Sequence, residues 1–297
     1  MEKPRVLHFL TPLARVSPFD VNMAYDTGFV VAGYTGVELK DVAGLTQDAM
    51  FSRGPQDAPK TVLFIGGRDA MLALDMEDAA KKAMFPPFLI SVFVDPSGAF
   101  TTAAAMVAVV ERHLAARGGS LEGAHVAVFG AKGVVGGIVG VIAAEAGAKV
   151  TLVGYDKTDV VPRRAEEFQR RFGHPFAAID GSTEEGRRAA LAEAEIVLVA
   201  GRAGTQVLSR SELAPASRLK IVADLNAVPP AGVEGVAADA DGVPFGDGSV
   251  AVGALAIGNV KFRVQRALLR RLCDAAAAQV IDYREAFRVA REIAAGA

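Results

Sequence analysis

Cysteine is almost missing from this 297-residue chain. Cys273 stands alone, which excludes an internal disulfide and any Cys-x-x-Cys metal site. Histidine is scarce too: His8, His113, His125 and His174 are scattered with no pair at ligand spacing, so no metal is expected. Neither sign of charge dominates; the formal net charge is -2, which gives no reason to expect a nucleic-acid partner. Uninterrupted apolar runs fall short of the roughly 20 residues that a bilayer span takes, so no membrane partner is expected. The most apolar stretch, 134–144, is studded with glycine. Near the N-terminus, Val6–Leu10 is too short for a signal peptide and reads as a strand, which makes the cytoplasm the expected location. Internal repeats and low-complexity segments are also lacking.

What is present is an ordinary globular balance, 51% hydrophobic and 22% charged, on a chain long enough for two domains. Up to about residue 118, short apolar segments (6–10, 61–65, 89–94) alternate with helical periodicity at 18–28, 39–51, 69–84 and 101–116. That alternation predicts a small α/β domain with mainly parallel strands. Residues 116–120 read as a hinge. Beyond it, strands are expected at 125–129, 149–153, 176–179, 195–200 and 219–223, with helices at 137–147, 162–172 and 182–194. Residues 227–253, rich in Gly, Pro and Asp, look irregular, and the pattern from 255 onward is helical. A terminal helix pair after a nucleotide domain often packs back on the first domain. The expected organisation is therefore a discontinuous α/β substrate domain (1–118 plus 265–297) and a Rossmann-type doubly wound parallel-sheet domain (119–264).

The most informative motif follows the run His125–Phe129. It reads Gly130-Ala131-Lys132-Gly133-Val134-Val135-Gly136, between a strand and a small-residue helix, with a second strand after the helix. Strand, glycine turn, helix and strand form a βαβ unit suited to a dinucleotide. Glycine lets the backbone approach a pyrophosphate, and the helix N-terminus offers unpaired N–H groups to its charge. Asp156 comes 20 residues past Gly136, where an acid accepts hydrogen bonds from a ribose diol. Tyr155 and Lys157 flank it. The plain alternative is that the glycines only allow tight helix–strand packing.

Other segments carry two readings each. Ser17-Pro18-Phe19-Asp20 is a helix start, with Ser17 capping, Pro18 in the first position and Asp20 at the positive end. Phe19 and Asp20 also lie just past a strand's carboxyl end, where α/β sheets hold ligands. In Asp95-Pro96-Ser97-Gly98-Ala99-Phe100-Thr101-Thr102, one threonine is expected to cap a helix, and Thr101 and Thr102 are also able to bond a polar heterocycle. Gly66-Gly67 is a turn after another strand. Lys261 follows Gly and Ala positions within 253–258 that imply close backbone packing, although a helical lysine is ordinarily a solvated charge. Asn226, in Asp224-Leu225-Asn226-Ala227-Val228-Pro229-Pro230, is expected in a rigid loop at a strand's carboxyl edge near a nicotinamide, a plain turn being the alternative. Ala200 and Gly201 occupy that edge one strand earlier, where glycine allows a cofactor to approach closely.

Read together, the segments 17–20, 95–102, 130–136, 224–230 and 253–261 resemble the NAD(P)-dependent methylene-tetrahydromethanopterin dehydrogenases of one-carbon metabolism. They cover nearly the whole chain, and the tract 10–22 is most similar to the branch accepting both NAD and NADP. The resemblance implies hydride transfer from a reduced pterin to NAD or NADP. It also implies Asp20 and Lys261 at the pterin site, with Phe19, Thr101 and Thr102 nearby, and a homo-oligomer, trimeric or hexameric. The architecture is more distantly similar to methylene-tetrahydrofolate dehydrogenases, whose Tyr-x-x-x-Lys arrangement is absent here: Tyr25, Tyr34, Tyr155 and Tyr283 lack lysine four positions on. No cyclohydrolase activity is therefore expected. Competing readings are a tetrahydrofolate enzyme, a shikimate-type enzyme and a non-catalytic NAD(H) sensor.

The missing acid–base machinery fits this chemistry. Oxidising a methylene between two nitrogens expels a hydride and leaves a delocalised cation, so no base has to remove a proton. The task is orientation, with the reacting carbons roughly 3–3.5 Å apart. Asp156 would repel a 2′-phosphate while Lys157 or Arg163 would accept one, so NAD is expected to work well and NADP to be tolerated.

Overall fold

The computed structural model describes residues 3–155 and 160–296. The chain begins β1 (Val6–Leu10), α1 (Pro18–Asp26), β2 (Val30–Tyr34), α2 (Val42–Phe51), β3 (Thr61–Ile65), α3 (Ala70–Ala83), β4 (Ser91–Val94) and α4 (Ala99–Ala115). It continues with β5 (His125–Phe129), α5 (Val134–Glu145), β6 (Lys149–Gly154), α6 (Val160–Phe172), β7 (Phe176–Asp180) and α7 (Glu184–Ala192). The remainder is β8 (Ile196–Val199), α8 (Arg210–Leu213), β9 (Ile221–Asp224), β10 (Asp241–Pro244), β11 (Val250–Val252), α9 (Ala254–Asp274), β12 (Val280–Ile281) and α10 (Tyr283–Ala295).

Residue contacts group the chain into two units: one through Thr101 with Phe262–Val289, the other Thr102–Lys261 with the residues from Ala290. The assignment of domains as 1–118 plus 265–297 and 119–264 is a proposal about which segments fold independently.

The first unit is built on a five-stranded sheet in the order β12-β4-β3-β1-β2, every pairing parallel. All residues of β3 and β4 are buried, as expected of central parallel strands covered on both faces. β12 pairs Val280 with Val92, so a C-terminal segment supplies one edge of an otherwise N-terminal sheet. Its two residues interrupt the stretch expected to be helical from 255 to the end. β2, with Gly33 as its fourth residue and mixed exposure, was not among the expected strands.

The second unit holds a seven-stranded sheet in the order β10-β11-β9-β8-β5-β6-β7. From β7 inward to β11 the order is that of the doubly wound dinucleotide fold, and only β10 runs antiparallel. The direction of strand order reverses between β5 and β8, which pair in parallel. Two elements correct the reading of 227–253 as irregular: β11 extends the parallel sheet beside β9, and β10 closes its edge. Helix α5 begins at Val134 with Gly133 as its cap and is almost wholly buried. Among the described residues, no helix is long and apolar enough to cross a membrane.

Candidate functional site

In the second unit, the turn after β5 and the turn after β8 meet at the reversal of strand order. Gly130 adopts φ +85, a left-handed conformation that side chains resist. A Cβ there would stand 2.4 Å from the carbonyl oxygen of Ala200, so glycine is required twice over. Gly136 is buried beneath the same loop, and a Cβ on it would lie 2.4 Å from the carbonyl oxygen of Gly130. Gly133 is different: its nearest neighbour would be that carbonyl at 3.3 Å, and its N–H donates to it at 2.9 Å.

These turns open onto a cavity of about 440 Å³ lined by Gly130, Lys132, Gly133, Val134, Val135, Gly154, Tyr155, Ala200, Gly201 and Arg202. Eight of the twelve positions expected to hold a cofactor thus converge on one cleft. Gly136 serves it from below, as the close-packing glycine between loop and helix. Asp156 and Lys157 lie outside the described residues. Arg202 was not anticipated; its backbone N–H donates to the hydroxyl of Tyr155 at 2.8 Å, tying the β8 turn to the end of β6. With Lys132 it gives the lining two cations and, among the described residues, no carboxylate. A basic side chain directly after a Gly at a strand's carboxyl end was the available signal.

Asn226 is placed otherwise than expected, since it is not among the residues lining this cleft. Its side-chain oxygen accepts from the N–H groups of Gly204 (3.1 Å) and Val228 (3.0 Å), and its amide donates to the carbonyl of Pro230 at 2.7 Å. Both ends of the side chain hold the loop. Beneath it, buried Asp224 accepts from the N–H groups of Asn226 at 2.9 Å and Val233 at 3.0 Å. Burial pushes the Asp224 carboxyl above its ordinary range, while those N–H groups and that of Gly232 oppose the shift.

In the first unit, Ser17 caps α1 as read from the sequence, its hydroxyl accepting from the N–H of Asp20 at 3.3 Å. Asp20 is nonetheless more than a helix-end charge. It is 4% exposed, and its Oδ1 accepts from Nε2 of Gln265 at 2.6 Å. Phe19 beside it is 47% exposed, a large aromatic surface turned to solvent. Gln265 was missed. It lies one helical turn after Lys261 in α9, a polar residue among buried Val264, Leu268 and Leu269, and that break in an apolar stripe was its signal.

The turn from β4 into α4 is capped by Asp95, where a threonine was expected to cap. Oδ1 of Asp95 accepts from the N–H groups of Phe100 (2.9 Å) and Thr101 (3.1 Å), and Oδ2 from the Thr101 hydroxyl at 2.7 Å. Thr101 is fully buried, so its hydroxyl holds the turn and not a ligand. Ser97, at φ 53, is the non-glycine residue with positive φ among those described, and its hydroxyl donates to the carbonyl of Gly67 at 2.6 Å. The turns after β3 and β4 are thereby fastened together. Thr102 and Lys261, both half-buried, belong to the second unit. Among the described residues, no group of three or more His, Cys, Asp or Glu is placed to hold a metal.

A family model described as methylene-tetrahydromethanopterin dehydrogenase, N-terminal, matches residues 18–97. An NAD(P)-dependent methylenetetrahydromethanopterin dehydrogenase of Methylorubrum extorquens is 49% identical over 292 residues, 97% of this chain and 98% of that protein. The bifunctional protein MdtA of the same organism is 34% identical over 295 residues, 99% of this chain and all of that protein, at 100%. Among solved structures, shikimate 5-dehydrogenase from Listeria monocytogenes, in complex with shikimate and NAD, is similar with a TM-score of 0.51 over 91% of each chain. At 14% identity that likeness speaks for the fold alone.

Proposed function

The chain belongs to the methylene-tetrahydromethanopterin dehydrogenase family, and from that premise we propose that it oxidises methylene-tetrahydromethanopterin to the methenyl form with NAD(P) as hydride acceptor. The observation that supports it most directly is the cleft where Gly130, Gly133 and Gly201 leave the backbone bare beside Lys132 and Arg202. Bare N–H groups at the start of α5 and two cations suit a pyrophosphate, and the glycine at φ +85 lets the β8 turn close against the loop. The residues present therefore fit a nicotinamide dinucleotide. When bound, it supplies the carbon that accepts the hydride.

The remaining work falls to this chain's own side chains. The lost hydride leaves a positive charge spread over two nitrogens of the substrate, and a carboxylate nearby favours that charge. Asp20 is the proposed source, because burial strengthens its field and Gln265 fixes its orientation. Phe19 offers a flat aromatic face to the pterin ring. Lys261 is proposed to orient the substrate's polar ring atoms or a carboxylate-bearing tail, and Thr102 to bond the heterocycle. Thr101 and Asp95 shape the turn from behind, and Asn226 with Asp224 shapes the β9 loop. For the cofactor, the finer reading is that NAD works well and NADP is tolerated, with Asp156 and Lys157 as the deciding pair and no metal taking part. A soluble cytoplasmic homo-oligomer, trimeric or hexameric, completes the proposal, and light scattering on the purified protein checks the assembly.

The test is an absorbance assay of purified protein with methylene-tetrahydromethanopterin and methylene-tetrahydrofolate, each with NAD and NADP. Turnover of the methanopterin derivative with at least one dinucleotide is expected. Exclusive turnover of the folate, or saturable NADH binding with no turnover of either pterin, overturns the reading.

A further inference from the structure

We infer that Gln265 is a positioning residue for this reaction, acting through the carboxylate of Asp20; the inference rests on the role proposed for Asp20 above. The two residues are 245 apart in the chain and 2.6 Å apart at Nε2 and Oδ1. Gln265 is 0% exposed, on a face of α9 where Val264, Leu268, Leu269 and Leu272 are also fully buried. A carboxamide in such surroundings is a liability unless its polar atoms find partners, and leucine would pack there without that burden. An amide N–H only donates, so it suits a carboxylate oxygen as acceptor. The contact is short, as hydrogen bonds to charged acceptors are.

Asp20 needs such a support. It stands in the first turn of α1, three residues after the cap, and its backbone N–H is held by Ser17. The cap bonds the main chain of Asp20 and not its carboxylate. Gln265 reaches it from a different element, α9, and so fixes the orientation that the helix start does not. Lys261 sits four residues earlier on α9, a spacing that puts the two side chains on one face of the helix. A single helix thus carries both the proposed substrate-orienting lysine and the group that sets the carboxylate.

Three variants test this: Gln265→Leu, Asp20→Asn and the double. Gln265→Leu is expected to lower kcat by about 10- to 100-fold, the range set by losing a hydrogen bond to a charged group. The KM for NAD(P) stays near the parent value, while the melting temperature falls modestly because a buried carboxylate loses a donor. A role exercised through Asp20 predicts a double variant no slower than Asp20→Asn alone, within about twofold. Gln265→Met, close to glutamine in volume, repeats the measurement should the leucine variant fold poorly. Parental kcat in both Gln265 variants, with Asp20→Asn impaired, overturns the positioning role and leaves the proposed activity standing. Losses that multiply in the double variant also overturn it, since they mark an independent structural effect. Asp20→Asn at parental rate, or a parent protein that turns over no methanopterin, overturns the role of Asp20 and this inference with it.

Discussion

Replacing Gly130 with alanine strikes the cleft at its narrowest point. The residue holds φ +85, which costs a side-chain-bearing residue about 1–2 kcal/mol. Its new methyl would stand 2.4 Å from the Ala200 carbonyl oxygen and 2.7 Å from the carbonyl carbon. Those are backbone atoms between paired strands and cannot swing aside, so overpacking strain adds about 1–3 kcal/mol. The sum, roughly 2–5 kcal/mol, lowers the melting temperature of a unit this size on the order of 10 °C. Whatever shift relieves the clash pushes the β5 and β8 turns apart, so dinucleotide affinity falls as well. Gly133→Ala is the control: the residue is extended at φ -73, and its methyl would meet only the Gly130 carbonyl, at 3.3 Å. Its melting temperature should stay close to the parent while NADH binding weakens, because the methyl stands at the cleft. Calorimetric scans and NADH titrations of both variants decide the matter. Gly130→Ala with parental melting temperature and parental NADH affinity would refute the cradle as drawn.

Lys261→Ala is expected to raise the KM for the reduced pterin or lower kcat with NAD(P) affinity intact; steady-state kinetics with both parameters unchanged removes Lys261 from the site. Thr101→Val deletes the hydroxyl given to buried Asp95 and should destabilise the protein by about 1–3 kcal/mol in urea titrations, with pterin KM nearly unchanged. For Glu285, Arg288 and then Arg271 hold the carboxyl down to about 2 from its ordinary 4.5. A lowered folded-state value stabilises above 4.5 and is lost as pH falls from there towards 2. Since Glu285 is partly exposed, the loss is on the order of 1 kcal/mol, and Glu285→Gln should flatten melting temperature against pH over that window. Comparing kcat/KM for the two dinucleotides tests the pair Asp156 and Lys157, and strict NADP dependence would refute the role given to Asp156.

The second unit was the more legible half, because its signals are local. Gly130, Gly133 and Gly136 follow a β-branched strand and precede a helix, so backbone geometry alone announces the turn. The cap at Ser17 was legible for the same reason: Ser17, Pro18 and Asp20, within four residues, state it. What escaped were features set by distant partners. Val280–Ile281 is only two residues long and becomes a strand because β4 offers an open edge. Val250–Val252 lies amid Gly and Asp, and its pairing with β9 overrides that composition. Thr101 looked available because sequence does not reveal burial, and Asp95 took the cap that a threonine was expected to make. Gln265 joins Asp20 across 245 residues, a separation over which no periodicity speaks.

The bond from Ser97 to the Gly67 carbonyl has a consequence for anyone redesigning this protein. Two turns at the carboxyl edge of the first sheet behave as a single plate, because one hydroxyl rivets them and a left-handed serine is tolerated to keep it there. Re-shaping either turn alone would leave its neighbour cut to the old outline. Redesign of either turn would therefore take paired changes at 66–69 and 95–98, exchanged as one cassette.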